Sequence, residues 1–253
     1  VAVAGVAAKT GRPAQALYLM RAPAGAPPAL SVAEFAWILM NRIRSAGLYA
    51  LFDAARLTGS GMAFPFSLLA ARNLASGEIV EDLVLALDLA EAGAAPVHCA
   101  DAIVRSEFPE TEEAAMRQRA RWEHGSLKVA SRRAPGLLAR GLLRGDMRLA
   151  ALAADALIPP LVIFAAMLAA ILLIALAAAM SGAPSALPPA SLALALFFAA
   201  TALGWAVHGR KALPARDLPR LARYALGKLR VYGRDARASA KTWTRTDRGG
   251  TPP

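Results

Sequence analysis

Two long stretches without a single charged residue, 156–180 and 187–207, constrain this chain more than any other feature. At a rise of about 1.5 Å per residue, the first would be about 37 Å long as a helix, enough to cross a hydrocarbon core of about 30 Å. Pro159-Pro160 near its beginning either kinks that helix or marks its true start. The second run ends near Trp205, a side chain suited to a membrane–water interface. Only the short uncharged linker 181–186 separates the two, whereas both outer flanks are basic. The expected arrangement is a transmembrane α-helical hairpin with both ends in the cytoplasm, because positive charge marks that face of a bilayer. A pair of buried core helices is the alternative, and the absence of charge from both runs argues against it.

The charge distribution supports a membrane surface. The net charge is +11, yet residues 208–253 hold 12 Lys/Arg against 3 Asp/Glu, while residues 1–155 hold 17 against 15. A basic tail directly beside an apolar span suits anionic headgroups. Nucleic acid is the other reading, but base stacking needs aromatics and the tail offers only Tyr224, Tyr232 and Trp243. Cys99 is the sole cysteine, so no internal disulfide forms, and with three scattered His no zinc-binding spacing appears. The chain opens at Val1 without a charged-then-apolar leader and reads as a fragment or a processed chain that starts inside a domain.

Before residue 136 the pattern alternates. Residues 15–20 read as a buried strand, 32–52 as a helix with Phe35, Ile38, Leu39 and Ile43 on one face, and 57–64 as a short strand broken by glycines. Pro65 opens a helix to about residue 76. Glu81 and Asp82 open another, which Gly93 stops; residues 96–104 form a strand; Pro109 and Thr111 start a helix with Glu110, Glu112 and Glu113 in its first turn. This alternation is the mark of an α/β layered fold. In residues 136–155, Arg140, Arg144 and Arg148 share one helical face, and Leu138, Leu142 and Leu149 lie on another. That is the pattern of an amphipathic helix on a headgroup surface, or of an ordinary helix with a solvated face.

Three clusters could carry chemistry. In Gln118-Arg119-Ala120-Arg121-Trp122, the helical spacing puts Gln118, Arg121 and Trp122 on one face. Guanidinium groups fork onto phosphate oxygens and an indole offers a flat apolar plate; the bland reading is an amphipathic helix with a buried Trp. In Val80-Glu81-Asp82, a carboxylate at a helix start can act as a general base or simply favour the helix dipole. In Thr58-Gly59-Ser60-Gly61-Met62, small residues allow close backbone approach to a ligand, as they also do in ordinary turns.

Taken in this order, just ahead of membrane segments, the clusters resemble those of a membrane-bound family 2 glycosyltransferase, the group that includes cellulose synthase and hyaluronan synthase. The resemblance covers about residues 10–250. It implies an α/β fold: residues 1–135 as the C-terminal part of a GT-A-like (Rossmann-like) catalytic domain, 136–155 as an interfacial amphipathic helix, 156–207 as two transmembrane helices and 208–253 as a basic cytoplasmic tail. It implies a bacterial, multi-pass protein of the inner (plasma) membrane. Its activity would be an inverting transfer, hexosyltransferase in type, from a nucleotide-sugar donor to a lipid-linked or polysaccharide acceptor.

The resemblance also assigns roles. Asp82 would be the base; Gln118, Arg119 and Arg121 would face the donor diphosphate; Trp122, Gly59, Ser60, Gly61 and Glu81 would line the acceptor site. Val80 replaces the family's Thr, which removes a hydroxyl beside the base. Gln15 and Tyr18 match a family strand and are assigned to the core. Lys241-Thr242-Trp243-Thr244-Arg245-Thr246 resembles a tail common in bacterial members, here a surface anchor by default. The family's metal-binding Asp-x-Asp does not occur in residues 1–253. A divalent metal, Mg or Mn, is therefore expected in the full-length protein, with none bound by this stretch, which would be inactive alone. A catalytically inactive, membrane-anchored binding or scaffolding protein with the same fold is the rival.

Overall fold

The computed structural model describes residues 2–70, 79–109, 112–219 and 221. Its sheet is small and mixed. Strand β1 (Ala14–Arg21) is central, paired in parallel with β3 (Val97–Glu107) and antiparallel with the short β2 (Met62–Ala63). Parallel pairing demands a crossover, and the helices between β1 and β3 supply it. The register slips between Ala16, opposite Cys99, and Leu17, opposite Ile103, so β3 bulges by three residues at 100–102.

Around this sheet lie α1 (Ala2–Thr10), α2 (Pro28–Ile38), α3 (Ser45–Phe52), α4 (Phe66–Ala70), α5 (Glu81–Glu91), α6 (Glu112–Arg144) and α7 (Met147–Leu157). A π-helical turn, Leu39–Arg44, joins α2 to α3 without a break, so the helix expected over 32–52 exists with a local widening. Gly93, at φ 81°, ends α5 in the left-handed conformation that glycine adopts without steric cost. The main core gathers Leu48, Leu83, Leu87, Leu137, Leu149 and Leu152 from α3, α5, α6 and α7.

Residues 136–155 are not one helix. The chain turns at Gly145, and Asp146 caps α7 by accepting the Leu149 N–H at 3.0 Å. Leu137 and Leu149 are buried in the protein core, while Leu142 and Leu143 are exposed. Arg140 pairs with Glu91 and Arg148 with Asp53, so the arginine face is divided between two helices. The turn is tight: a Cβ on Gly141 would lie 2.7 Å from the Ala150 backbone nitrogen.

Helices α8 (Leu161–Met180) and α9 (Leu187–Gly204) form the expected hairpin, with Pro159-Pro160 just ahead of α8. Leu161–Met180 and the longer segment Pro184–Gly209 are each long and apolar enough to cross a membrane. Only 6% and 11% of their apolar windows are buried, so neither is packed as a core helix among the described residues. Phe164 and Phe197 meet edge-on at 5.7 Å between the two helices, and Ala175 and Ala190 are buried in the hairpin.

The hairpin is fastened to the α/β part. Gly204 and Gly209 allow Leu39, Ile43 and Phe35 to approach closely: an added Cβ would come within 2.8 Å of Leu39 and Ile43 at the first, and 2.6 Å of Phe35 at the second. Trp205 closes the joint by donating its indole N–H to the Leu213 carbonyl at 2.8 Å. The long helix 28–52 therefore holds one end of the apolar helix pair.

The Gly141 contact is with backbone, which cannot swing away. Gly141→Ala is expected to cost about 1–3 kcal/mol by overpacking, read as a lower unfolding temperature in detergent.

Candidate functional site

Three neighbouring segments make the site: the glycine loop 58–61, the start of α5, and the middle of α6. The chain reaches the loop through a fixed corner. Asp53 ends α3 at φ 50°, an uncommon conformation for a residue with a side chain. Arg12 holds it there, bonding its carboxylate at 2.7 Å and its carbonyl at 2.5 Å. Ala54, Ala55 and Leu57 are then buried, with the Ala55 N–H donated to the Pro96 carbonyl at 2.8 Å.

Gln15 positions the loop itself. Its side chain, only 2% exposed, sits in β1. The amide oxygen accepts the Thr58 N–H at 2.9 Å, and the amide nitrogen donates to the carbonyls of Ser60 and Ala16 at 2.8 Å each. One amide thus grips the loop at both ends. The loop's second glycine then packs into the sheet. Gly61 has φ 69°, and a Cβ there would lie 2.6 Å from Val104 and 2.9 Å from Ala16. A side chain there would be strained by the positive φ and would force Val104 or Ala16 to shift.

Asp82 stands beside the first glycine. Its Oδ2 lies 3.4 Å from where a Cβ on Gly59 would be, and its Oδ1 accepts the Leu83 N–H at 2.9 Å. Burial raises the Asp82 pKa above the ordinary carboxylate value; the Leu83 hydrogen bond and the charge of Arg56 oppose that shift, and Glu81 adds to it. Glu81 is exposed. Val80, where the family pattern has Thr, is buried and touches α6: a Cβ on Gly125 would lie 3.2 Å from it.

Gly125 and Trp122 are one turn apart on the same face of α6. Trp122 is half-buried and tilts against Trp37, with ring centroids 5.7 Å apart. Trp37 is held in turn by edge contacts with Tyr18 and Phe108 and by donating to the Tyr18 carbonyl at 3.1 Å. The indole therefore has a rigid aromatic backing. Gln118, Arg119 and Arg121 are half-buried on α6, and both arginines have partners.

The contacts join the three motifs in pairs. Gly59 meets Asp82, and Val80 meets the α6 face that carries Trp122. Glu110 and Thr111 lie outside the described residues, as do residues 71–76 of the helix expected after Pro65 and the tail motif 241–246. Sequence reasoning missed Gln15 as the loop's anchor, Trp37 as the backing of Trp122, and Arg56. A polar amide inside a buried strand was the available signal for Gln15.

The sequence family described as Glycosyl transferase family group 2 matches residues 15–207. No curated protein and no solved structure matches at a significant level. The family match spans more than half of the chain, which belongs to this family. Glycosyl transfer, and with it binding of a nucleotide-sugar donor and an acceptor in general terms, follows from membership.

Gln15→Met keeps the volume but leaves the Thr58 N–H and the Ser60 carbonyl without partners. The expected cost is about 2–4 kcal/mol, since each orphaned buried backbone group costs about 1–3. Thermal unfolding checks it, and increased protease cleavage at residues 58–61 would locate the damage.

Proposed function

We propose that this chain provides the base and the acceptor side of an inverting glycosyltransferase. The enzyme moves a sugar from a nucleotide-sugar donor to a lipid-linked or polysaccharide acceptor at the cytoplasmic face of the inner membrane. The observation that carries the reading is the desolvated Asp82 carboxylate set against Gly59, at a helix start packed on the face of α6 that bears Trp122.

Asp82 takes the proton of an acceptor hydroxyl. The freed oxygen forms a bond to the anomeric carbon of the donor sugar from the face opposite the diphosphate. The bond from that carbon to the diphosphate oxygen breaks, and its electron pair leaves with the nucleoside diphosphate. One displacement inverts the anomeric configuration. Burial favours this chemistry, because a carboxylate with a raised pKa is a stronger base.

Gln118, Arg119 and Arg121 are assigned to the diphosphate, where charge-assisted hydrogen bonds oppose the growing negative charge. Trp122 stacks on the acceptor sugar with Trp37 behind it. Gly59, Ser60 and Gly61 give the acceptor room beside the base, and Glu81 flanks it. Among the described residues no three His, Cys, Asp or Glu side chains group to hold a metal ion. A divalent metal, Mg or Mn, would act on the donor diphosphate and lower the barrier to its departure. The residues described here do not fit it, so the roles proposed for them are the proton, the acceptor and charge at the diphosphate.

The hairpin and the basic residues after it, Arg210, Lys211 and Arg216, suit a cytoplasmic catalytic part held at the bilayer.

Asp82→Asn in the intact protein is expected to abolish transfer with little loss of donor binding; normal turnover would remove Asp82 as the base. Its stability should move the other way. The native carboxyl binds its proton more tightly than the unfolded one. The ionised form therefore costs the fold stability above the unfolded pKa, and the cost vanishes as pH falls below that value. At neutral pH the Asn protein should melt no lower than the wild type, and the difference should disappear in acid. Trp122→Ala is expected to weaken acceptor use more than donor hydrolysis, with KM for acceptor as the readout. Equal losses of both would reduce Trp122 to packing.

A further inference from the structure

A general base does not by its own chemistry tell an acceptor hydroxyl from water, because a carboxylate that takes a proton from one takes it from the other. If water attacks, its oxygen bonds to the anomeric carbon and its proton goes to Asp82. The bond to the diphosphate oxygen breaks, its electron pair leaves with the nucleoside diphosphate, and the donor is hydrolysed without transfer. Transfer is favoured when an acceptor sugar is held over the base in place of water. The side chain assigned to hold that sugar is Trp122, so the orientation of its ring matters.

That orientation is set from outside α6. Among the described residues the ring that Trp122 meets is Trp37, with centroids 5.7 Å apart and 46° between the planes. Aromatic pairs at this distance prefer particular angles, which a featureless apolar wall does not impose. Trp37 is fixed in turn. Tyr18 meets it edge-on at 5.6 Å and Phe108 at 6.1 Å, and its indole N–H donates to the Tyr18 carbonyl at 3.1 Å. Its own carbonyl accepts the Asn41 side-chain amide at 3.3 Å.

The outer members of the stack are tied to the sheet. The Tyr18 and Ser106 hydroxyls share a hydrogen bond of 2.7 Å across the β1–β3 pair. Phe108 is buried just after β3, and its N–H donates to the Arg21 carbonyl at the end of β1 at 2.9 Å. Four rings from four places in the chain thus converge at the carboxyl ends of two parallel strands. Open α/β sheets bind their ligands outside those ends.

We infer that Trp37 is a positioning residue that sets the partition between sugar transfer and donor hydrolysis. It passes the rigidity of the sheet to the Trp122 ring, which then keeps an acceptor sugar, and not water, over the base. This rests on Asp82 being the base and on Trp122 bearing the acceptor. Leucine at 37 is apolar but offers no ring for Trp122 to tilt against. Phenylalanine keeps a ring and loses only the indole N–H bond to Tyr18. Tyr18→Phe removes the Ser106 bond alone, at the far end of the stack.

The test uses the intact protein in its native membranes, whose endogenous acceptor is the probe. Radiolabelled UDP-glucose, UDP-N-acetylglucosamine and GDP-mannose are screened for the sugar it uses, and label in acceptor is counted against free sugar released. Trp37→Leu is expected to raise the hydrolysed share several-fold, with little change in total donor consumption. Trp37→Phe should bring the share back toward the wild type. Adding Trp37→Leu to Trp122→Ala should change nothing further, because the ring it acts through is gone. An unmoved share in Trp37→Leu, equal losses of transfer and hydrolysis, or additive effects in the double variant overturn the inference. If Trp37→Leu does not accumulate, Tyr18→Phe decides by fluorine NMR of protein labelled with 5-fluorotryptophan, the Trp122 line being assigned by its loss in Trp122→Phe. A broadened or split Trp122 line supports the inference, and an unchanged line overturns it. A raised share in Trp122→Ala beside an unmoved one in Trp37→Leu removes only the role of Trp37. An unmoved share in Trp122→Ala, or an active Asp82→Asn, removes the site reading on which that role rests.

Discussion

A single buried amide organises the site. Gln15 sits in the central strand and bonds the backbone at both ends of the glycine loop, so the loop inherits the rigidity of the sheet. Everything nearer to the chemistry is referred to that fixed loop. Asp82 lies against Gly59, and Gly61 sits on the sheet where a methyl group would collide with Val104 and Ala16. A polar side chain in a strand interior is expensive unless its hydrogen bonds are all made, and here the bonds it makes are the reason for its presence.

The second constraint is the fastening of the α/β part to the hairpin. It runs through side chains on one continuous helix. The π-helical turn presents Leu39 and Ile43 to Gly204 and Arg44 to Asp155. A widened turn changes which side chains face a neighbour, and such turns recur at functional sites. The helix therefore contacts the end of the apolar helix pair and the buried Asp155 at once.

Much of this was legible in the sequence, for physical reasons that can be named. The period of the apolar residues gave β1 and β3, Gly93 gave the end of α5, and the uncharged runs gave the hairpin with Pro159-Pro160 ahead of α8. The order of the three motifs was enough to point to the family that now matches residues 15–207. What stayed hidden depends on contacts distant in the chain. Arg44 and Asp155 are 111 positions apart, and no local pattern pairs them. In the sequence Asp155 is only the last charge before an apolar run. The arginines of 136–155 suggested one surface helix because spacing carries no sign of the tight turn at Gly145, which depends on Gly141 meeting the Ala150 backbone.

The central claim is spatial: the carboxylate end of α5 and the indole face of α6 border one acceptor pocket. Photo-cross-linking tests it most directly. A benzoylphenylalanine is placed in turn at Glu81 and at Trp122 of the intact protein, with a radiolabelled acceptor present. Both positions are expected to capture the same acceptor, and unlabelled acceptor should suppress both captures in parallel. Capture from Trp122 alone, or from Glu81 alone, would mean that the two helices border different spaces and would contradict the claim.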